Sequence, residues 1–183
     1  MDNGASSYRR YLNGEEAAFD EIMETLFDGL VFFIDRYVQD VHAAEDIAID
    51  VFSELVAHPH RYNFQVTLKT YLFMLGRSRA LNYRKHRRVL SFVELSETAA
   101  IADERAMLEE NLLADERKRA VNAALERLPE EMRTAVHLVY FEELSYEEAA
   151  RVMKKNRKQI DNLLYRAKKE LRLLLGKDGA LLI

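Results

Sequence analysis

Three helix starts crowd into residues 120–175, and no other stretch limits the fold as tightly. Pro129 suits a first helical position, where its missing N–H is one the helix would leave unbonded anyway. Glu130 and Glu131 favour the positive end of the same helix. That helix is expected to run to about Tyr140. Ser145-x-x-Glu148 spells a capping box and starts a second helix over 146–153. Asn156, with Gln159 three residues on, repeats the device for a third. Along this last helix Ile160, Leu163, Leu164, Ala167, Leu171 and Leu174 recur at spacings of three and four and form one apolar face. The other face carries Arg157, Lys158, Asp161, Asn162, Tyr165, Arg166 and Lys169, with Lys155 just ahead of it. Short helices around sharp polar turns make a helix-turn-helix, a unit that can place its last helix in the major groove of DNA. Periodicity alone equally fits a small helical bundle with solvated lysines.

The rest of the chain is also poor in breakers. Two prolines and six glycines in 183 residues point to helix throughout, so the expected fold class is all-α. Asn13 followed by Glu16 resembles a helix start, and an apolar stripe from Phe19 to Tyr37 gives one long helix, or two broken at Gly29. Asp40 can cap a helix over 43–57 with Ile47, Val51, Phe52 and Leu55 facing inward. Residues 58–66 contain Pro59 and no period, and read as a loop. Thr67 can cap a further helix to about Arg88, with Leu68, Tyr71, Leu72, Leu75 and Leu81 inward. The pattern fades over 91–104, which reads as a flexible linker, and a helix resumes near Glu104 and reaches Leu128. The expected organisation is two small helical domains, 8–90 and 105–176.

Several function classes drop out. With no cysteine, disulfides, thiolate zinc sites and cysteine nucleophiles are excluded, and a reducing cytoplasmic setting is expected. The first ten residues lack the apolar core of a signal peptide, and the run 30–34 is far too short to cross a membrane. There is no glycine-rich phosphate loop and no serine elbow. His58 and His60 supply at most half of a metal site. Neither catalysis, nor a cofactor, nor a metal is therefore expected.

Charge carries the next constraint. The net charge is −4, whereas proteins that bind DNA unaided tend to be basic. The cations are nonetheless clustered, in Arg77, Arg79, Arg84, Lys85, Arg87 and Arg88 and again over 154–169, with an acidic stretch between. Basic patches on an acidic chain suggest DNA contacts that are weak alone and depend on a partner.

Both halves resemble one family. AEDIAIDVFSEL (44–55) resembles the A-E-D-x-x-Q-E-x-F text of extracytoplasmic-function (ECF) sigma factors, the small initiation subunits of bacterial RNA polymerase. KTYLFMLGRSRALNYRKHRR (69–88) resembles their W-L-x-x-I-A-x-N…R-R helix. LERLPEEMRTAVHLVYFEELSYEEAARVM (125–153) is similar to their L-x-x-L-P-x-x-x-R…L-S-Y-x-E-I-A region, and YRAKKEL (165–171) is similar to the end of that region. The departures are Ile49 for glutamine, Asp50 for glutamate, Tyr71 for tryptophan and Ser78 for asparagine. Lys154 replaces the usual turn glycine, and Gln159-Ile160-Asp161-Asn162-Leu163 stands where T-V-K-S-R is common.

The resemblance implies two jobs. The first domain would be sigma region 2. Asp46, Ile49, Asp50 and Glu54, with the acids exposed, would bind RNA polymerase core. The loop would read the −10 promoter element through stacking by Tyr62 and Phe64 and hydrogen bonds from Arg61, Asn63 and Gln65. Arg77, Arg79, Arg84, Lys85, Arg87 and Arg88 would hold the strand backbone. Either ring can instead tuck into the local core, and the acidic face can be merely solvated. The second domain would be region 4. Arg157, Lys158, Asp161, Asn162 and Tyr165 would meet −35 bases, and Lys155, Arg166 and Lys169 phosphates. The partners implied are core polymerase, promoter DNA and, as is common in the family, an anti-sigma factor held between the domains. The rival reading is a helix-turn-helix regulator that binds an operator as a dimer and needs neither the acidic helix nor the stacking loop.

Overall fold

The computed structural model describes residues 4–93 and 112–175. Among these are eight α-helices and no strand. The first unit holds α1 (Ala5–Leu12), α2 (Ala17–Val38), α3 (Val41–Ala57) and α4 (Leu68–Val93); the second holds α5 (Leu112–Glu126), α6 (Glu130–Val136), α7 (Tyr146–Met153) and α8 (Arg157–Leu175). The expected linker lies outside the described residues except for 91–93, which continue α4, and so does the helix start near Glu104.

Local chemistry explains most boundaries. Asp40 accepts from the Ala43 amide at 3.1 Å and caps α3, which starts at Val41 rather than Ala43. Thr67 accepts from the Thr70 amide at 3.2 Å at the head of α4. Asn13 does not start α2. It closes α1, its amide bonded to the Arg9 and Arg10 carbonyls, because Gly14 turns the chain immediately afterwards at φ +97°. Gly29 does not break α2, which runs through it. Pro129 is the N-cap of α6 rather than its first helical residue, and α6 gives way after Val136 to a π-turn over His137–Phe141.

Helix α2 is the axis of the first unit and packs against α1, α3 and α4. Ile22, Leu26, Leu30, Phe33 and Ile34 line its buried side. Gly76 lets α4 come close: a Cβ there would lie 2.8 Å from Leu30 Cδ1. In the second unit α8 packs on α5, α6 and α7 through Ile160, Leu163, Leu164, Ala167 and Leu171. The two units also meet. Helix α7 lies against α4, and Thr70, wholly buried, sits at that contact.

Candidate nucleic-acid interface

The helix-turn-helix is built as its sequence spells it. Ser145 Oγ accepts from the Glu148 amide at 3.3 Å while Glu148 Oε2 accepts from the Ser145 amide at 2.9 Å, closing the capping box. Asn156 and Gln159 reciprocate at the head of α8, at 2.9 and 2.8 Å. Between them Lys154 holds a left-handed backbone, φ 54° and ψ 44°, which turns α7 into α8. With Ile160, Leu163 and Leu164 buried inward, Arg157, Lys158, Asp161, Asn162, Tyr165, Arg166 and Lys169 all stand exposed on the outer face. Tyr165 presents 72% of its surface to solvent, far more than a tyrosine retained for packing. Arg157 leans on Glu147 at 3.1 Å, a pair that water screens strongly. Lys155 departs from expectation: its ammonium lies 2.7 Å from Glu131 and its side chain is mostly covered, so that pair must open before Lys155 meets a phosphate.

The 58–66 segment is tighter than a simple loop. Pro59–Arg61 forms a 3-10 turn. Tyr62 corrects an expectation, since its ring is in the core at 3% exposure. It packs against Tyr8, Phe64 and Tyr71, with its hydroxyl donating to the Val66 carbonyl at 2.8 Å. A ring held on three sides with its one polar atom satisfied is not offered to a base. Phe64 is only partly covered. Its backbone is left-handed, φ 59°, which is strained for a bulky residue, and the Arg9 guanidinium lies 4.7 Å above its ring. Asn63 Oδ1 accepts from the Gln65 amide at 3.1 Å, and both side chains reach solvent.

On α3, Asp46 and Asp50 are exposed as expected, and so is Ile49. Glu54 is not. Arg61 and Arg79 clamp its carboxylate, whose side chain keeps only 16% exposure. The Arg61 contact, with Arg79 assisting against burial, holds this carboxyl below the usual range. Arg79 also approaches Asp50 at 3.4 Å. Helical spacing puts Glu54 on the acidic side of α3, but spacing cannot see that α4 brings an arginine across it. Ile49 is half exposed beside Val56, over a shallow apolar groove floored by Phe19, Met23 and Phe52; the exposed Val56 had no sequence signal beyond its position. On α4, Arg84 pairs with Glu130 at 2.5 Å, and Arg77 buries a guanidinium Nε that has no hydrogen-bond partner. Lys85, Arg87 and Arg88 are exposed.

A second polar cluster joins the units and had no sequence signal. Lys69 donates to the Glu142 carbonyl at 2.7 Å and lies 2.8 Å from its carboxylate. His137, 3% exposed, stacks between Phe33 and Phe141, with Phe32 tilted against it. Its Nε2 is 3.3 Å from Glu142 Oε1, but at an angle unsuited to a hydrogen bond. Burial pushes the His137 imidazole below its ordinary value; nearby Arg36 and Lys69 add to this, and Glu142 opposes them without prevailing. Glu142 is raised by burial, but its contacts with His137 and Lys69 outweigh that and hold it low. Each residue is ordinary in its own stretch of chain; only the fold brings them together.

Two family models match the chain. The family "Sigma-70 region 2" matches residues 22–89, and "Sigma-70, region 4" matches 118–171. The ECF RNA polymerase sigma factor SigM of Bacillus subtilis is 26% identical over 164 residues, covering 86% of this chain and 95% of SigM. The RNA polymerase sigma-H factor of Pseudomonas aeruginosa is 26% identical over 170 residues, covering 88% of each. The fold is similar to that of the sigma factor RpoE of Bartonella quintana, solved with the anti-sigma factor NepR (TM-score 0.66, 23% identity, 87% of this chain and 98% of that one). It is also similar to CnrH, solved with the cytosolic domain of CnrY (TM-score 0.66, 17% identity, 97% and 99%).

Proposed function

The chain belongs to the ECF class of sigma factors, and from that premise we propose which of its residues carry each task. As an ECF sigma factor it binds RNA polymerase core, recognises −10 and −35 promoter elements and initiates transcription. It acts by binding rather than by catalysis, in the cytoplasm where its polymerase works. No described helix is long and apolar enough to cross a membrane.

The exposed outer face of α8 carries the −35 assignment. Arg157, Lys158, Asp161, Asn162 and Tyr165 read bases from the first turns of the helix, and Arg166 and Lys169 hold phosphates further along. Lys155 joins them once released from Glu131. Phe64, strained and partly open, is the ring that stacks on an unpaired −10 base, with Asn63 and Gln65 beside it for base edges and Arg61 at its border. Lys85, Arg87, Arg88 and Arg77 attract the strand backbone. Arg79 and Arg84 have carboxylate partners and position their helix before they can touch DNA.

Core polymerase docks on α3 through Asp46 and Asp50, with Ile49 and Val56 supplying an apolar patch beside the charges. This leaves Glu54 with a structural task, holding Arg61 and Arg79. Exposed charge reversal opposes a partner without disturbing the core. Asp46→Arg is therefore expected to cut co-purification with core polymerase at least tenfold while circular dichroism stays unchanged. Undiminished co-purification would place the docking surface elsewhere. The structure of RpoE holds an anti-sigma factor, and by analogy this chain has an inhibitor of the same kind.

A further inference from the structure

Helix α1 brings a cation to the 58–66 segment from outside the stretch that matches region 2, residues 22–89. Arg9 is exposed, and its guanidinium stands 4.7 Å from the centre of the Phe64 ring. We propose that Arg9 is a further −10 contact: the unpaired base enters between the Phe64 ring and the Arg9 guanidinium and is held on both faces. This rests on the reading that Phe64 stacks on that base.

The residues beside Arg9 fix its place. Tyr8 is wholly buried and donates its hydroxyl to the Leu55 carbonyl at 2.9 Å. Arg10 is held by Glu15 and Glu21. The two arginines adjoin in the chain, yet their surroundings differ. Two carboxylates take Arg10, whereas among the described residues the recorded partner of the Arg9 guanidinium is the ring and not an acid. Its charge is not neutralised there and stays available to DNA. The ring is walled from within. Tyr62, in the core, lies 4.5 Å from Phe64, and the buried Tyr8 lies 6.1 Å away. With these rings behind it, Phe64 keeps its open side for solvent, where the exposed Arg9 covers it. The left-handed backbone at Phe64 holds the ring in that place at some cost in strain.

The chemistry of the pair suits a base. A guanidinium is planar and weakly hydrated, and it stacks on a phenyl ring or a base alike. Admitting a base needs a separation of roughly 3.4 Å more, the spacing of stacked bases. A long, exposed arginine side chain supplies that by changing rotamers while α1 stays in place. It then exchanges the ring for the base, so little attraction is lost when the pocket opens. A lysine would carry the charge without the plane.

The probe is a fork-junction DNA whose single-stranded −10 segment is selected from a randomised library by the parent holoenzyme. 2-Aminopurine placed at each −10 position in turn reports stacking as a loss of fluorescence. One position is expected to be quenched. Phe64→Ala and Arg9→Ala are each expected to restore fluorescence at that position and to weaken fork binding about three- to tenfold. The double variant is expected to weaken it by less than the product, because both groups hold one base. Arg9→Lys is expected to lose the quenching as alanine does. Circular dichroism and core binding should not change in the Arg9 variants, since the side chain is exposed. Full quenching in Arg9→Ala, with fluorescence restored by Phe64→Ala, would overturn the role of Arg9 and leave the −10 reading standing. Tighter binding by Arg9→Ala would overturn it too, by showing a lid that competes with the base. Quenching kept by Arg9→Lys would overturn the stacking and leave a point charge. Quenching at no position, or quenching that neither alanine variant disturbs, would overturn the −10 reading together with the proposal.

Discussion

Lys154 occupies a backbone position that glycine would hold with less strain. A left-handed residue with a Cβ costs on the order of 1–2 kcal/mol, and a glycine gives part of that relief back through its freer unfolded chain. Lys154→Gly is expected to stabilise the protein by about 1 kcal/mol and to raise Tm by roughly 2–4 °C. Calorimetry checks this, and a lower Tm would mean that the lysine side chain contributes more than its backbone costs. The position was legible in the sequence only because the resembling family writes glycine there. Other single residues were less legible. Tyr62 and Phe64 are two apart and read alike, yet one is core and the other half open. What separates them is Tyr71 of α4, which walls Tyr62 at 5.1 Å; Tyr8 lies against both rings and donates to the Leu55 carbonyl at 2.9 Å, from a stretch with no recognisable helix start. Its N-cap is Gly4, with no side-chain cap bond, and two turns of helix are too few for a period to show.

Elements were read best where side chains cap their own backbone. Asp40, Ser145 with Glu148, and Asn156 with Gln159 all act within a few residues, so spacing alone discloses them. Helix α6 was harder, since the π-turn that ends it at His137–Phe141 arises from what packs there rather than from any breaker. For α8 both faces were legible, the buried one from its period and the exposed one by elimination. The direction of the helix then sets different roles along one face. Early residues point at base edges, and later ones run beside the backbone. Arg157→Ala and Asn162→Ala are expected to change which −35 bases are preferred. Lys169→Ala is expected to weaken all sequences alike and to lower the salt slope by about one. Promoter-library selection with each holoenzyme separates these outcomes, and an unchanged preference in the first two would mean that α8 does not read sequence.

At the scale of the whole molecule the sequence discloses two units but not their meeting. Lys69 and Glu142, or Thr70 and Glu148, are far apart in the chain, and each satisfies a local pattern without the other. The meeting gives the molecule a response to acid. His137 faces Glu142 after its own turn, Lys69 from α4 and Arg36 from α2, with Phe32, Phe33 and Phe141 as walls. With the two units in contact, as here, its imidazole is held below its ordinary 6.5, so this closed form binds the proton less readily than one in which the units have parted. The stability His137 lends to closure is complete above about 6.5 and is lost as the pH falls from there towards the depressed value. Glu142, held below its ordinary 4.5 by the same contacts, works in the same sense at lower pH. One proton changes the open-to-closed ratio by at most about tenfold per pH unit, or about 1.4 kcal/mol. In a chain spin-labelled through Glu24→Cys on α2 and Glu170→Cys on α8, the label-to-label distance is therefore expected to lengthen progressively as the pH drops from 7.5 to 5.5. His137→Phe keeps a flat ring between Phe33 and Phe141 and removes the titration, so its distances should stay short over that interval and respond only at lower pH, as Glu142 and Glu148 protonate. Equal opening of both chains would assign the acid response to some group other than His137, and no opening in either would mean that the closed form tolerates the charged imidazole.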